Sequence, residues 1–161
     1  MGTNACPSVH HIGGIRSITL YGAGEVSFEG YDPVGGGFRR AMIAPTATPL
    51  EMHFADNGAR YVERLVAQGV VEHRLEILSS GFAPERMARL MALSSEGVVA
   101  ILTLASGGSW VVGYSHRGGA DYPLRLLEAE SDTFAQRSQM PSTRLLLGSE
   151  DGWAAAPLKG V

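Results

Sequence analysis

Residues 70–114, VVEHRLEILSSGFAPERMARLMALSSEGVVAILTLASGGSWVVGY, combine a long strand, a short helix and a tight hairpin. In the first part, three apolar residues and one histidine alternate with Glu72, Arg74 and Glu76, so each set recurs at every second position. This alternation indicates a strand with one buried face. The residues on the predicted buried face are Val71, His73, Leu75 and Ile77.

The middle of this stretch predicts a helix at about residues 83–94. Pro84 stands where a proline suits the first helical position, and Glu85 in the first turn complements the helix dipole. A stripe at i, i+3 and i+4 predicts the side that packs on a sheet. The residues of this stripe are Met87, Leu90 and Met91.

The last part predicts a hairpin whose turn is Ser106-Gly107-Gly108. The first hairpin strand, residues 97–105, is apolar on both faces, which favours a central strand covered from both sides. In the second, strict alternation places Trp110, Val112 and Tyr114 on a common face.

Further strands are predicted on both sides of this stretch. Residues 60–68 fit either a helix or a strand, and β-branched Val62 and Val66 favour the strand. Residues 30–47 are irregular and indicate a long functional or mobile loop, with a possible short strand near its end at 39–43. The other predicted strands are 15–21, 25–29, 50–54, 122–130 and 143–149.

The fold class that follows is mainly β, a β-rich α+β fold: an antiparallel β-sandwich or barrel with one short flanking helix. At 161 residues, the chain is expected to form a single β-rich domain over 12–161, preceded by a flexible tail over 1–11.

Composition argues against several classes of protein. A net charge of −3 gives no basic surface for nucleic acid, so a sequence-specific nucleic-acid ligand is not expected. Cys6 is the only cysteine, so no disulfide forms within the chain, which fits a reducing compartment. No secretory signal opens the sequence, and its longest apolar run is far below the roughly 20 residues that span a bilayer.

Catalytic, cofactor and metal sites are not predicted. Cys6, His10 and His11 suggest a metal only weakly, because they stand in the expected tail. The glycines at 35–37 lack the rest of a phosphate-binding loop, and no nucleophile elbow is present. His73 is predicted to be a satisfied or interfacial histidine.

Two acidic or acid–histidine pairs remain as weak enzyme alternatives. Glu51 with His53 on one strand is the weaker rival to a non-enzymatic function. Glu128 and Glu130 share a strand face, which is usually solvated and only rarely a glycosidase pair.

The order of segments in this chain resembles that of small structural proteins of tailed bacteriophages and prophages, in particular tail-tube-like proteins. The resemblance covers roughly residues 12–158 and implies a sandwich or barrel with one flanking helix, whose subunits assemble into rings. It carries no catalytic residues or cofactors. The segments that carry it are GVVEHRLEILSSG (69–81), PERMARLMAL (84–93), GVVAILTLA (97–105), GSWVVGYS (108–115) and TRLLLGSED (143–151).

The hypothesis is therefore a non-enzymatic virion subunit, of the tail tube or a related tail or connector ring, that assembles with itself and with other virion proteins. Its location would be the virion, or the bacterial cytoplasm during assembly. The strand at 70–78 would pair with a neighbour, and the 30–47 loop would grip it and become ordered on assembly. The apolar segment 153–158 would dock on its own sheet or on a neighbour. The predicted interface residues are Glu72, Arg74, Glu76, Arg39, Arg40 and Trp153. The alternative is a small-ligand-binding β-barrel, which would show an enclosed apolar pocket.

Overall fold

The computed structural model describes residues 14–55, 57–80, 83–132 and 142–159, and this part of the chain is mainly β. It contains eleven strands and one helix. In chain order these are β1 (Ile15–Gly22), β2 (Val26–Glu29), β3 (Arg40–Ile43), β4 (Leu50–Met52), β5 (Ala59–Ala67), β6 (Val70–Ser80), α1 (Pro84–Glu96), β7 (Val98–Leu104), β8 (Ser109–Val112), β9 (Arg125–Asp132), β10 (Ser142–Asp151) and β11 (Ala156–Leu158).

The strands form three antiparallel sheets. A five-stranded sheet has the order β11-β8-β7-β1-β4, a four-stranded sheet has the order β5-β6-β10-β9, and β2 pairs with β3 alone. The predicted antiparallel sandwich with one short helix is confirmed, and the strand favoured at 60–68 is β5. Each of the two larger sheets ends in two different edge strands that do not pair with each other, so the architecture is a sandwich and not a closed barrel.

The main core lies between the five-stranded and the four-stranded sheet. It is built from the inward positions of alternating strands, as the period of two predicts. Leu75 and Ile77 of β6 are fully buried there, and His73 shares their face. Other members of this core are Ile18, Leu20, Leu50, Met52, Leu90, Val98, Ala100, Leu102, Val112, Leu124, Leu145 and Leu147.

A second core covers the opposite face of the five-stranded sheet. Val26 and Phe28 of β2 pack there with Phe38, whose side chain is only 1% exposed. The predicted mobile loop at 30–47 is therefore wrong as a description of this segment. It holds β3, as the sequence suggested, and it inserts Phe38 into a core that a mobile arm would leave open to water. The sheet residues in this second core are Tyr21, Val99, Ile101, Val111, Ala156 and Leu158.

Two strands of residues 70–114 lie in the middle of their sheets. β7 is flanked by β1 and β8 and is apolar on both faces, which confirms the predicted central, covered strand. β6 is flanked by β5 and β10, so the prediction that it pairs with a neighbouring subunit is wrong. Its main-chain groups already pair on both sides, and none is left for a strand of another chain.

The helix α1 begins at Pro84, as predicted, and packs on the core through Leu90. Met91 was expected to share this face but is 60% exposed, and Leu93 packs against the core instead. The helix has 13 residues, and within the described residues no helix is long and apolar enough to cross a membrane.

Arginines of α1 also contact the edge of the five-stranded sheet. Arg86 donates to the carbonyl of Glu51, and Arg89 donates to the carbonyls of Thr48 and Pro49. These acceptors lie in or just before the edge strand β4. The helix therefore covers an edge that would otherwise present bare carbonyl groups.

A glycine breaks the alternation that was predicted for the second hairpin strand. Val112 faces the main core, but Tyr114 packs against the second core on the other face. Gly113 lies between them at φ 89°, a left-handed conformation that disfavours any other residue. β8 ends at Val112, so the predicted common face for Tyr114 is wrong.

The apolar segment near residue 158 docks on its own chain. β11 pairs with β8, and Phe38 N–H donates to the Pro157 carbonyl on the other side of β11 at 2.8 Å. Of the two alternatives for residues 153–158, the structure therefore selects the chain's own sheet.

We expect Leu90→Ala to lower the free energy of unfolding by about 2–5 kcal/mol, because it leaves a cavity under the helix. The matched control is Met91→Ala, one position along and largely exposed, which should change stability by less than about 0.5 kcal/mol. Urea denaturation followed by circular dichroism measures both. Equal effects would contradict the packing of α1 through Leu90.

Candidate functional site

The predicted interface residues of β6 form a charged row on the outer face of the four-stranded sheet. Glu72 accepts from Arg74 at 2.6 Å and lies 3.4 Å from Arg64, while Arg144 lies 3.5 Å from Glu76. These ion pairs are made within the chain and are mostly exposed, so each contributes little to stability. Their role in an interface remains a prediction.

The other predicted interface residues lie elsewhere. Arg40 stands on β3, beyond the far face of the five-stranded sheet, and pairs with Glu29 of β2. Arg39 precedes it and is exposed, whereas Trp153 is partly buried beyond the end of β10. The six predicted residues therefore do not form one continuous surface.

The glycines at 35–37 serve a turn that is closed by Asp32. Backbone N–H groups, that of Gly35 first, together with Lys159, hold the pKa of Asp32 below its usual value. Val34 N–H donates to the same carboxylate at 3.0 Å. A carboxylate already occupies donors that a phosphate would need, which argues against phosphate binding here.

The pairs weighed for enzyme chemistry do not assemble into a site. Glu51 and His53 are exposed, and no hydrogen bond joins their side chains; Glu128 and Glu130 are exposed as well. Among residues 14–55, 57–80, 83–132 and 142–159, no three His, Cys, Asp or Glu side chains are grouped to hold a metal ion. Cys6, His10 and His11 lie outside the described residues.

A buried polar network surrounds His73. Its Nε2 lies 2.8 Å from Asp151 Oδ1, and its Nδ1 lies 2.6 Å from the Tyr61 hydroxyl. The same hydroxyl is 3.0 Å from Glu63 Oε1. Both ring nitrogens therefore have polar partners, and the His73 side chain is only 2% exposed. The prediction of a satisfied histidine is confirmed.

The carboxylates of this network also hold the segment between β10 and β11. Asp151 accepts the N–H of Trp153 at 3.0 Å, and Glu63 accepts the N–H of Ala155 at 2.6 Å. The network thus joins β5, β6 and β10 to the chain that leads into β11. Its geometry suits a structural tie better than a reaction centre, because His73 is sealed from substrate.

Tyr61 is held as a neutral hydroxyl in this network. Burial raises its pKa well above the usual value, and the negative charge of Glu63 raises it further. A hydroxyl that resists ionisation is a good hydrogen-bond donor and a poor nucleophile. This electrostatic setting therefore gives no support to covalent chemistry at Tyr61.

A cleft of about 680 Å³ opens beside Tyr61, between β5 and the five-stranded sheet. The cleft is open on one side, in contrast to the enclosed pocket expected of a ligand-binding barrel. Its volume lies within the range of small-molecule sites, about 300–1,000 Å³. Its lining is mostly apolar, with Glu63 as a carboxylate in the wall. Arg60 is a second charged lining residue, and the apolar lining residues are Ile15, Ala59, Val62, Leu102, Leu104 and Trp110.

His73 was predicted from the sequence to be satisfied, but the other members of its network, Tyr61, Glu63 and Asp151, were not predicted. One signal was available in the sequence. The turn at Gly69 joins β5 and β6 as a hairpin, and its register sets Glu63 opposite His73 on one face. Two polar residues opposite each other on a buried face predict a hydrogen-bonded pair. Asp151 comes from a distant strand, and no local pattern indicates it.

Tyr61→Phe should lower the free energy of unfolding by about 1–3 kcal/mol at neutral pH, because buried partners lose a hydrogen bond. Because the pKa of Tyr61 is raised on folding, the folded state keeps a proton that the unfolded state loses above about pH 10. Stability should therefore fall as pH rises above this value, by about 1.4 kcal/mol per pH unit for this group.

In urea titrations from neutral pH to about pH 11, the free energy of unfolding of Tyr61→Phe should fall less steeply with pH than that of the parent protein. Tyr122→Phe is the matched control, because Tyr122 is 53% exposed, and it should behave as the parent. If the free energy of unfolding falls equally with pH for Tyr61→Phe and the parent, this result would contradict a buried, neutral Tyr61 hydroxyl.

Comparison with protein-family models, with curated proteins and with solved structures finds no match to this chain. The function therefore has to be inferred from its own sheet edges, cleft and polar network.

Proposed function

We propose that this protein is a non-enzymatic structural subunit that assembles with copies of itself into a ring, of the tail-tube or related tail and connector type found in phage or prophage particles. The single observation that carries the proposal is where apolar side chains are exposed. Five of the nine exposed large apolar side chains in the described residues stand on edge strands. These five are Met42, Ile43, Leu65, Val66 and Leu127.

The edge strand β5 is the strongest support for association. It is nine residues long and pairs with β6 on one side only. It carries no lysine or proline, which are common guards of exposed edges. Leu65 is 69% exposed on this strand. A long edge strand with exposed apolar side chains favours pairing with another chain.

The proposal has two supports. Self-association is inferred from the exposed edge strands, whereas the phage particle and its other virion proteins are inferred from the resemblance in segment order. Within this proposal, Arg40 at the β3 edge is well placed for a neighbour. The charged row of Glu72, Arg74 and Glu76 would lie on one surface of the assembly. The 30–47 segment is already packed on its own chain, so it would act as a rigid surface there.

The molar mass measured by light scattering should rise with concentration for the intact protein. Leu65→Lys should shift assembly to higher concentration, because it removes the most exposed apolar side chain of this edge and adds a lysine, a common guard against strand pairing. Val34→Lys is the matched control, since Val34 is 96% exposed in a turn and does not stand on an edge strand. An intact protein that stays monomeric at millimolar concentration would remove the basis for a ring subunit.

The cleft beside Tyr61 favours a second candidate function, the binding of a small apolar ligand. Trp110 in its wall provides both a stacking surface and an optical signal. If this function holds, an apolar fluorescent dye such as N-phenyl-1-naphthylamine should bind at one site per chain and quench tryptophan emission. Trp110→Phe should abolish that quenching, whereas Trp153→Phe should retain it. Absence of saturable binding by the monomer would exclude this function.

A further inference from the structure

The four-stranded sheet has two open edges that run in opposite directions. Its strands alternate in direction through β5, β6, β10 and β9, because every neighbouring pair is antiparallel. With an even number of strands, β5 and β9 are antiparallel to each other. A second copy in the same orientation can therefore place its β9 beside β5 with correct antiparallel pairing, and the sheet continues across the boundary.

The main chain of β5 is available for such pairing. Leu78 N–H donates to the Gly58 carbonyl at 2.6 Å, which fixes the hydrogen-bonded pairs between β5 and β6. Pairs of this kind recur at every second residue. The N–H and C=O groups of Tyr61 and Glu63 consequently point away from β6, toward the open edge.

The two edges carry opposite charges on the outer face of the sheet. Arg60 and Arg64 stand on β5 beside Glu76 and Glu72, and Glu128 and Glu130 stand on β9 beside Leu146 and Arg144. Within the described residues, Arg60, Glu128 and Glu130 make no ion pair. Unpaired charge of one sign on one edge, and of the other sign on the opposite edge, is complementary between two copies.

Pairing of like edges is less favourable. Two β5 strands related by a two-fold axis at Val62 would set Arg60 opposite Arg64 of the second copy. An axis at Glu63 would set this carboxylate opposite itself. Two β9 strands would bring their glutamates together. Like charges directly opposite each other destabilise a strand pair, so the charges disfavour a two-fold contact.

The helix limits which part of β9 is free. Ser94 Oγ accepts the N–H of Leu126 at 2.7 Å, and Arg125 reaches the Ser95 carbonyl at 3.4 Å. The first residues of β9 are thus joined to α1, and residues 128–131 remain open. When residues 128–131 of one copy lie opposite the first half of β5 of another copy, Glu130 can lie opposite Arg60.

We propose that β5 of one copy pairs with β9 of the next copy head to tail, with Arg60 opposite Glu130 and Val62 opposite Glu128. This inference rests on the proposed self-assembly and names the surface that performs it. A repeated contact between two different edges forms a ring when its rotation closes. The added strand lies next to β5, which forms one wall of the cleft.

Charge exchange tests the contact. Arg60→Glu and Glu130→Arg should each raise the concentration for half-assembly about tenfold or more, because each brings like charges together. The variant that carries both changes should recover the parent value. Arg16→Glu is the matched control, an exposed arginine on β1 of the five-stranded sheet, and it should assemble as the parent does.

Cysteine cross-linking tests the register. In a Cys6→Ser background, Val62→Cys with Glu128→Cys in the same chain should give a ladder of disulfide-linked multimers, since directly opposite Cβ atoms lie about 4.5–5.5 Å apart. Neither single cysteine variant should cross-link.

Two results overturn the pairing and leave self-assembly standing. One is assembly that is indifferent to both charge reversals, and the other is a dimer from Val62→Cys alone, which indicates a two-fold contact. An intact protein that never assembles overturns the pairing and the proposed function together.

Discussion

Around β7, β8 and β11 the five-stranded sheet is apolar on both faces, and this constraint determines the layout of the whole chain. Water must be excluded from two surfaces, so one partner layer is not enough. The four-stranded sheet covers one face, and β2 with Phe38 covers the other. Strand β7 lies at the centre of this arrangement with its residues buried on either side. The charged face of β6 can remain in water because its sheet has to cover only one surface.

The edges of the two larger sheets differ in how far other parts of the chain cover them. The edge at β4 is covered by Arg86 and Arg89 of the helix, and the edge at β11 is covered by Phe38. The edges of the four-stranded sheet are covered less, because α1 contacts only the first residues of β9. The same chain therefore protects one sheet and leaves the other able to extend. This asymmetry is a physical reason to seek function at the edges, since His73 itself is buried away from solvent.

Sequence patterns predicted the strands well where each face meets one environment, as at His73, Leu75 and Ile77. These patterns failed where a single residue changes which face of the sheet the next side chains occupy, or inserts into a core without any periodic pattern. Gly113 reverses the faces of the following chain, and Phe38 follows a glycine run that has no period. Met91 and Leu93 both fit an apolar helix side, and only the position of the sheet decides between them. Of the histidine network, Glu63 follows from hairpin register, whereas Asp151 depends on the pairing of two distant strands.

The position of β11 has a consequence for how the chain reaches its folded state. This strand completes the five-stranded sheet and the second core, and Phe38 hydrogen-bonds to it although the two are far apart in sequence. During synthesis, the N-terminal strands therefore emerge long before the segment that seals them. Contacts between such distant segments slow folding, and uncovered apolar surface invites misassembly in the meantime. A partly covered sandwich therefore forms first, and the pairing of β11 with β8 determines when its apolar surface is shielded from premature association.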